Sequence, residues 1–155
     1  MDADMSERTY RISVCLATYN GAQHIREQLD SILPQLGRDD EVIVSDDLSI
    51  DETLEIITSY GDARVKILPT KSRLGPVANF QRALTAAIGD IVFLSDQDDI
   101  WEPNKVATSL RVLESCDLVV SDCVIIDANN EVISDSFFAR RNSGPGLLKN
   151  LFKNT

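Results

Sequence analysis

Apolar residues recur along this chain in two alternating rhythms. Arg11 to Ala17 is a short apolar run, closed by the turn-forming Thr18-Tyr19-Asn20-Gly21. Ile25, Leu29, Ile32, Leu33 and Leu36 then follow at three- and four-residue spacing, the stripe of an amphipathic helix that Pro34 and Gly37 end. Glu41 to Ser45 is a second strand, stopped by Asp46-Asp47, and Ser49 with Glu52 reads as a capping box. The helix it opens carries Leu54, Ile57 and Tyr60 and closes near Gly61. Arg64 to Leu68 predicts a third strand, and Pro76 starts a helix expected to bury Val77, Phe80, Leu84 and Ile88. Asp90 to Leu94 predicts a fourth strand that runs into Ser95-Asp96-Gln97-Asp98-Asp99. Pro103 opens a helix with Val106, Leu110 and Leu113, Asp117 to Val120 suggests a fifth strand, and Val124 to Ile133 a hairpin turning at Asp127-Ala128-Asn129-Asn130.

Strand and helix alternating four times over specify an α/β fold with a mainly parallel sheet covered by helices on both faces. Right-handed crossovers put the carboxyl ends of all its strands on one edge, where open α/β sheets bind ligands. Residues 137–155 change character, with Arg140-Arg141 and Gly144-Pro145-Gly146 but no clear partner element. The expected organisation is a flexible N-terminus over 1–10, one domain over 11–136, and the start of a truncated further region over 137–155.

Composition narrows the function. With 155 residues the chain suffices for one domain and one core, and 43% hydrophobic with 26% charged residues is ordinary for a soluble protein. No apolar stretch is long enough to span a bilayer, and Met1-Asp2-Ala3-Asp4 is not a secretory signal, so a cytoplasmic location is expected, possible contact with the inner membrane face included. A net charge of −10 argues against a nucleic-acid partner. Cys15, Cys116 and Cys123 are odd in number and scattered in apolar context, which predicts buried reduced thiols.

Three segments carry chemistry to the carboxyl edge: Thr18-Tyr19-Asn20, Asp46-Asp47 and Asp96-Gln97-Asp98-Asp99. Carboxylates gathered there repel one another unless a cation joins them. Oxygen ligands without His or Cys suit Mg²⁺ or Mn²⁺, whose shells commonly include phosphate oxygens and water. The competing reading of each aspartate is a helix cap, which Asp51 and Asp99 in particular could be. His24 reads as a surface or boundary residue, Trp101 as packing or as a flank to a ligand, and Ser95 and Ser121 as turn formers.

The runs Val14 to Gly21, Val42 to Thr53 and Phe93 to Trp101 resemble family 2 glycosyltransferases of the Rossmann-like GT-A fold. Asp96-Gln97-Asp98-Asp99-Ile100-Trp101 followed by Pro103-Asn104-Lys105-Val106 is most similar to the bacterial rhamnosyltransferase-like branch. The resemblance covers residues 11–135. It implies an inverting transfer from a nucleoside-diphosphate sugar, with the branch resemblance pointing to dTDP-rhamnose, to a saccharide or lipid-linked saccharide acceptor in surface-polysaccharide synthesis. Thr18 and Tyr19 would line the base pocket, with Asn20 beside them. Asp47, in preference to Asp46, would accept a hydrogen bond from the base, the other acid supporting the loop or the ribose. Arg73, Gly75 and Asn79 would approach the nucleotide, and Asp96 and Asp98 would match the D-x-D motif that touches ribose and a Mg²⁺ or Mn²⁺ ion.

Two departures stand out. Leu48 occupies the place where the family usually has glycine, which predicts a locally different backbone. The family's general base is a carboxylate further downstream, and no Asp or Glu occurs between Phe137 and Thr155, so donor binding without efficient transfer is expected. Asp122 and Asp127 come too early to match. The order of acidic motifs excludes haloacid-dehalogenase-like phosphatases and two-component receivers. A Mg²⁺-dependent nucleotidyltransferase would usually show a Gly-rich basic loop after its first strand, which is missing here; that enzyme and a non-catalytic nucleotide-binding or interaction module remain the alternatives.

Overall fold

The computed structural model describes residues 10–127 and 129–141. The expected flexible N-terminus, Tyr10 excepted, and residues 142–155 of the expected C-terminal region lie outside them. The chain divides into two compact units, residues 1–110 and 111–155.

In the first unit, strands β1 (Ile12–Thr18), β2 (Glu41–Asp46), β3 (Val65–Ile67) and β4 (Ile91–Asp96) form one parallel sheet in the order β3-β2-β1-β4. Helices α1 (Ile25–Ile32), extended by a 3₁₀ turn at Leu33–Gln35, α2 (Thr53–Ser59), α3 (Pro76–Ala86) and α4 (Lys105–Leu113) follow the four strands in turn. Every residue of β1 is buried because it has a neighbour strand on each side and side chains packed above and below. On one face Ile12, Val14, Leu16, Val42 and Val44 pack with Ile25, Leu29, Ile32, Ile57, Trp101 and Val106. On the other, Cys15 and Ile43 pack with Ala83 of α3. Each fully buried aliphatic side chain contributes about 1.5–3 kcal/mol.

The expected helices cover both faces of β1 and β2. Alternation along β4 turns Phe93 into the core and leaves Val92 and Leu94 exposed on the opposite face. Helix α3 departs from expectation. It presents Asn79 and Ala83 to the sheet and half-buries Phe80, while Val77, Leu84 and Ile88 face solvent. Its seat is polar: Asn79 Oδ1 accepts from Ser45 Oγ at 2.5 Å and Asn79 Nδ2 donates to the Thr18 carbonyl at 3.3 Å. Those bonds, made by strand ends, fix the helix rotation that apolar spacing alone does not. The Ser49–Glu52 capping box does not form. Glu52 itself stands at the N-cap of α2, and Ser49 is drawn to Asp46 instead.

The second unit contains a short antiparallel pair, β5 (Ile125–Ile126) with β6 (Val132–Ser134), where the hairpin is expected, and α5 (Phe137–Arg140) capped by Ser136. Asp117 to Val120 is not a strand. Leu118 and Val120 are exposed, so no sheet neighbour fixes them. Cys15 is buried as expected and its thiol is pushed up to about 11, first by burial and then by the charge of Glu41. Cys116 and Cys123 are exposed, a correction to the buried reading.

Glu41 holds the amino end of the sheet together. Its buried carboxylate accepts from Ser13 Oγ at 2.6 Å, the Ile88 amide at 3.1 Å and Lys66 Nζ at 2.7 Å, with Arg11 at 3.6 Å. Burial pushes this carboxyl up. The hydrogen bonds from Lys66, Ser13 and Ile88 and the charge of Lys66 outweigh it, so the pKa lies below 4.5. A depressed folded-state pKa gives stability that is present above the unfolded value and lost as pH falls through the folded one. Glu41→Gln should therefore cost about 1–3 kcal/mol in urea unfolding at pH 7, with the difference from wild type shrinking as the pH is taken below 4.5.

Candidate functional site

Strand register assembles the site. Thr18, the last residue of β1, lies opposite Asp46, the last of β2, and Ala17 lies opposite Asp96, the last of β4. The three loops that leave these ends therefore share one edge. Thr18 Oγ1 donates to Asp46 Oδ2 at 2.8 Å, and the Asp47 amide donates to the Thr18 carbonyl at 2.9 Å.

Asp46 and Asp47 are both buried, and both are engaged within the protein. The carboxylate of Asp46 also accepts from the Ser49 amide at 2.8 Å and Ser49 Oγ at 2.5 Å. Its carbonyl accepts from Thr70 Oγ1 at 2.7 Å and from Arg82 at 2.8 Å. Asp47 receives the amides of Leu74 at 2.5 Å and Gly75 at 3.0 Å, and Arg73 Nε stands 3.7 Å from it. Asp47 thus grips the loop entering α3, where Gly75 adopts φ +80°. Only glycine enters that conformation without strain.

Leu48, at φ +64°, adopts the left-handed conformation that glycine enters most readily. The Asp46–Ser49 bonds on either side of it hold the turn closed. Asn20, at φ +50°, meets the same turn from β1: its amide donates to Ser49 Oγ at 2.9 Å and its Oδ1 accepts from the Ile50 amide at 2.9 Å.

Tyr19 projects from the β1 end with the Arg73 guanidinium 3.7 Å from its ring centroid. This is a cation–π stack on a half-buried ring. Asn79 lies beneath, buried, bonded to Thr18 and Ser45 and 3.3 Å from Arg82. The structure therefore brings together Thr18, Tyr19, Asn20, Asp46, Asp47, Arg73, Gly75 and Asn79 in one bonded network.

Asp96 ends β4, its Oδ1 accepting from the Gln97 amide at 3.0 Å. Asp98 and Asp99 follow and are exposed as residues. The carboxyl of Asp99 is nonetheless raised, first by desolvation and then by the charges of Asp98 and Asp96, with Lys105 opposing. Crowded carboxylates of this kind are a donor set that a hard divalent cation fits. Among the described residues no three His, Cys, Asp or Glu side chains close a cage by themselves. An ion there would take the rest of its shell from phosphate and water, the usual habit of Mg²⁺.

Three participants escaped the sequence reading. Gln97 pairs with both backbone groups of Tyr19, Oε1 accepting from its amide at 2.8 Å and Nε2 donating to its carbonyl at 3.1 Å. Arg82 and Thr70 brace the Asp46 carbonyl. The signal for Arg82 was its place three residues beyond Asn79 on one helix face; Thr70 carried none. Asp51 takes the local role foreseen for it, accepting from the Thr53 amide at 3.1 Å, and also reaches the Ala22 amide at 3.0 Å. His24 is half-buried at the start of α1. Trp101 is packing, buried against Phe93 with ring centroids 5.4 Å apart. In the second unit Asp122 accepts from Ser136 Oγ at 2.5 Å and the Phe138 amide at 2.9 Å, and Asp127 accepts from the Asn129 and Glu131 amides. Both are turn formers.

The family model described as glycosyl transferase family 2 matches residues 13–153. The chain belongs to that family. An uncharacterized glycosyltransferase of Nostoc sp. (strain PCC 7120) is 31% identical over 145 residues, 91% of this chain and 44% of the relative. A dTDP-rhamnosyl transferase of Shigella flexneri is 37% identical over 105 residues, 63% of this chain and 36% of the relative. The family 2 chain thus spans less than half the length of either. A mannosyltransferase from Pyrobaculum calidifontis, solved with GDP-Man and Mn²⁺, superposes with a TM-score of 0.63 at 28% identity, covering 78% of this chain and 37% of that one. The fold is the GT-A fold of these enzymes. No helix among the described residues is long and apolar enough to cross a membrane.

In this family 2 chain the left-handed Leu48 is strained, since a side chain there costs about 1–2 kcal/mol against the backbone. Leu48→Gly should raise the unfolding free energy by about 0.5–1 kcal/mol, part of the gain being offset by the freer unfolded chain. Urea denaturation monitored by circular dichroism would check it.

Proposed function

We propose that this chain forms the donor-binding part, over residues 11–136, of an inverting glycosyltransferase that takes its sugar from a nucleoside diphosphate. The observation that carries the reading is the bonded network of Thr18, Asp46, Asp47, Arg73 and Asn79, closed over a stacked Tyr19 at the carboxyl edge of a family 2 sheet. Tyr19 and Arg73 offer a planar, cationic surface to a base, Asn20 and the exposed turn at Leu48 flank it, and Asp96 faces the ribose. Thr18 acts at one remove by fixing Asp46. Asp47 and Gly75 shape the loop that carries Arg73, whose charge sits among acids where a diphosphate must be tolerated.

Asp96 and Asp98 would hold Mg²⁺ or Mn²⁺. When bound, the ion supplies positive charge against the departing diphosphate. The Mn²⁺ and GDP-Man of the Pyrobaculum structure support that assignment. Attack on the anomeric carbon needs an acceptor hydroxyl and a general base. Asp122 and Asp127 are occupied in turns, and we place the base in the length of the relatives that this chain does not span. Residues 137–155 would begin that acceptor-side region. The name of the Shigella relative, a dTDP-rhamnosyl transferase, supports dTDP-rhamnose as donor, and surface-polysaccharide synthesis at the cytoplasmic face is the setting we propose for it.

Calorimetric titration with UDP, GDP and dTDP, each with and without Mn²⁺, tests the reading. One diphosphate, dTDP by preference, should bind saturably and only with the ion. Asp96→Ala/Asp98→Ala should weaken that binding by about a hundredfold, the loss of a charge-assisted contact set worth ~3 kcal/mol. A folded protein that binds none of the three would refute the donor site.

A further inference from the structure

Gln97 sits between the two aspartates assigned to the ion, yet its side chain faces away from them in function. Both of its amide atoms are spent on the backbone of Tyr19, the amide at 2.8 Å and the carbonyl at 3.1 Å. Such a two-point pair fixes position and orientation together, as a strand neighbour would. The partner peptide belongs to the residue whose ring carries Arg73 at 3.7 Å, and Arg73 in turn stands by Asp47. A continuous set of contacts thus runs from the Asp96–Asp98 segment through one side chain to the surface offered to the base.

The space around this amide is restricted. A Cβ built on Gly21 would run into the Gln97 side-chain carbonyl and lie 2.7 Å from its Cδ. Gly21 has no positive φ, so its lack of a side chain serves clearance and not backbone conformation.

Resting on the donor-site reading above, we propose that Gln97 is a positioning residue that couples cation binding at Asp96 and Asp98 to base binding at Tyr19. An ion joining the two aspartates fixes the backbone on both sides of Gln97. The amide pair passes that order to the Tyr19 peptide, and the ring and its arginine are set for the base. Linkage makes the effect reciprocal, so a bound base favours the ion by the same factor. A nucleoside, which has no phosphate to reach the ion, isolates this route from direct phosphate–ion contact.

The test uses the 155-residue chain, the diphosphate that binds it, and the parent nucleoside of that diphosphate. In wild type, saturating Mn²⁺ should tighten nucleoside binding about fivefold, the lower end of ordinary coupling between sites. Gln97→Met keeps the length and removes both hydrogen bonds, and should abolish the Mn²⁺ effect on the nucleoside while leaving Mn²⁺ affinity, read by paramagnetic resonance of the free ion, within about twofold. Gly21→Ala leaves Gln97 chemically intact and pushes its amide off Tyr19, and should give the same loss, which keeps the test open should one variant fail to fold. A purely structural Gln97 would weaken the nucleoside equally with and without Mn²⁺, and that result overturns the proposal. So does a coupling that persists in either folded variant, or its absence in wild type that still binds the diphosphate. Wild type that binds no diphosphate at all removes the donor site itself.

Discussion

Everything at the carboxyl edge depends on the register of one strand. β1 lies between β2 and β4, and its pairing sets Thr18 beside Asp46 and Ala17 beside Asp96. Side chains alternate along a strand, so a slip of one residue would turn the buried face outward and also draw the three loops apart. Hydrogen bonds at both ends prevent it. At the amino end Asp40 and Asp90 accept from the amides of Ile12 and Arg11, and Glu41 accepts from the Ser13 hydroxyl; at the carboxyl end Asp46 accepts from the Thr18 hydroxyl. The core supplies most of the free energy, and these polar bonds specify which of several core-burying registers is used.

The acids gathered at the edge divide by role. Asp46 and Asp47 are buried and committed to neighbouring amides and hydroxyls, so they behave as structural fasteners for the turn at Leu48 and the loop at Gly75. Asp96 and Asp98 are exposed, and beside them the pKa of Asp99 is raised, first by burial and then by the charges of Asp98 and Asp96. One pair spends its charge inside the protein, and the other keeps it available. Grouping five carboxylates as one cluster missed that distinction, because sequence gives the position of an acid and not the donors that surround it.

The alternation of strands and helices was legible from residue spacing, and so was the shared edge, since parallel crossovers leave no other place for the strand ends. The strand-end motifs, Thr18 to Asn20, Asp46-Asp47 and Asp96 to Asp99, were legible as segments that meet at that edge. Legibility failed where polar contacts decide geometry. The rotation of α3 follows from Asn79 reaching Thr18 and Ser45, which outweighs the apolar spacing of Val77, Leu84 and Ile88. Ser49 satisfied a capping pattern in sequence and is claimed by Asp46 in space. Asp117 to Val120 has strand-like composition and no paired strand among the described residues, and composition alone does not make a strand. Gln97 was visible in the motif, but its partner lies 78 positions away.

The stack of Arg73 on Tyr19 has a geometric corollary. At 3.7 Å the two planar groups are already in van der Waals contact, and the gap admits no third ring. A flat aromatic guest on that side of the tyrosine would lie beyond the guanidinium, or evict the arginine and take the tyrosine face itself. In the first arrangement the cation is a permanent floor, and electron-rich rings are favoured. In the second it is a cover whose removal would cost every guest alike, so the tyrosine face and not the charge above it would tell one guest from another.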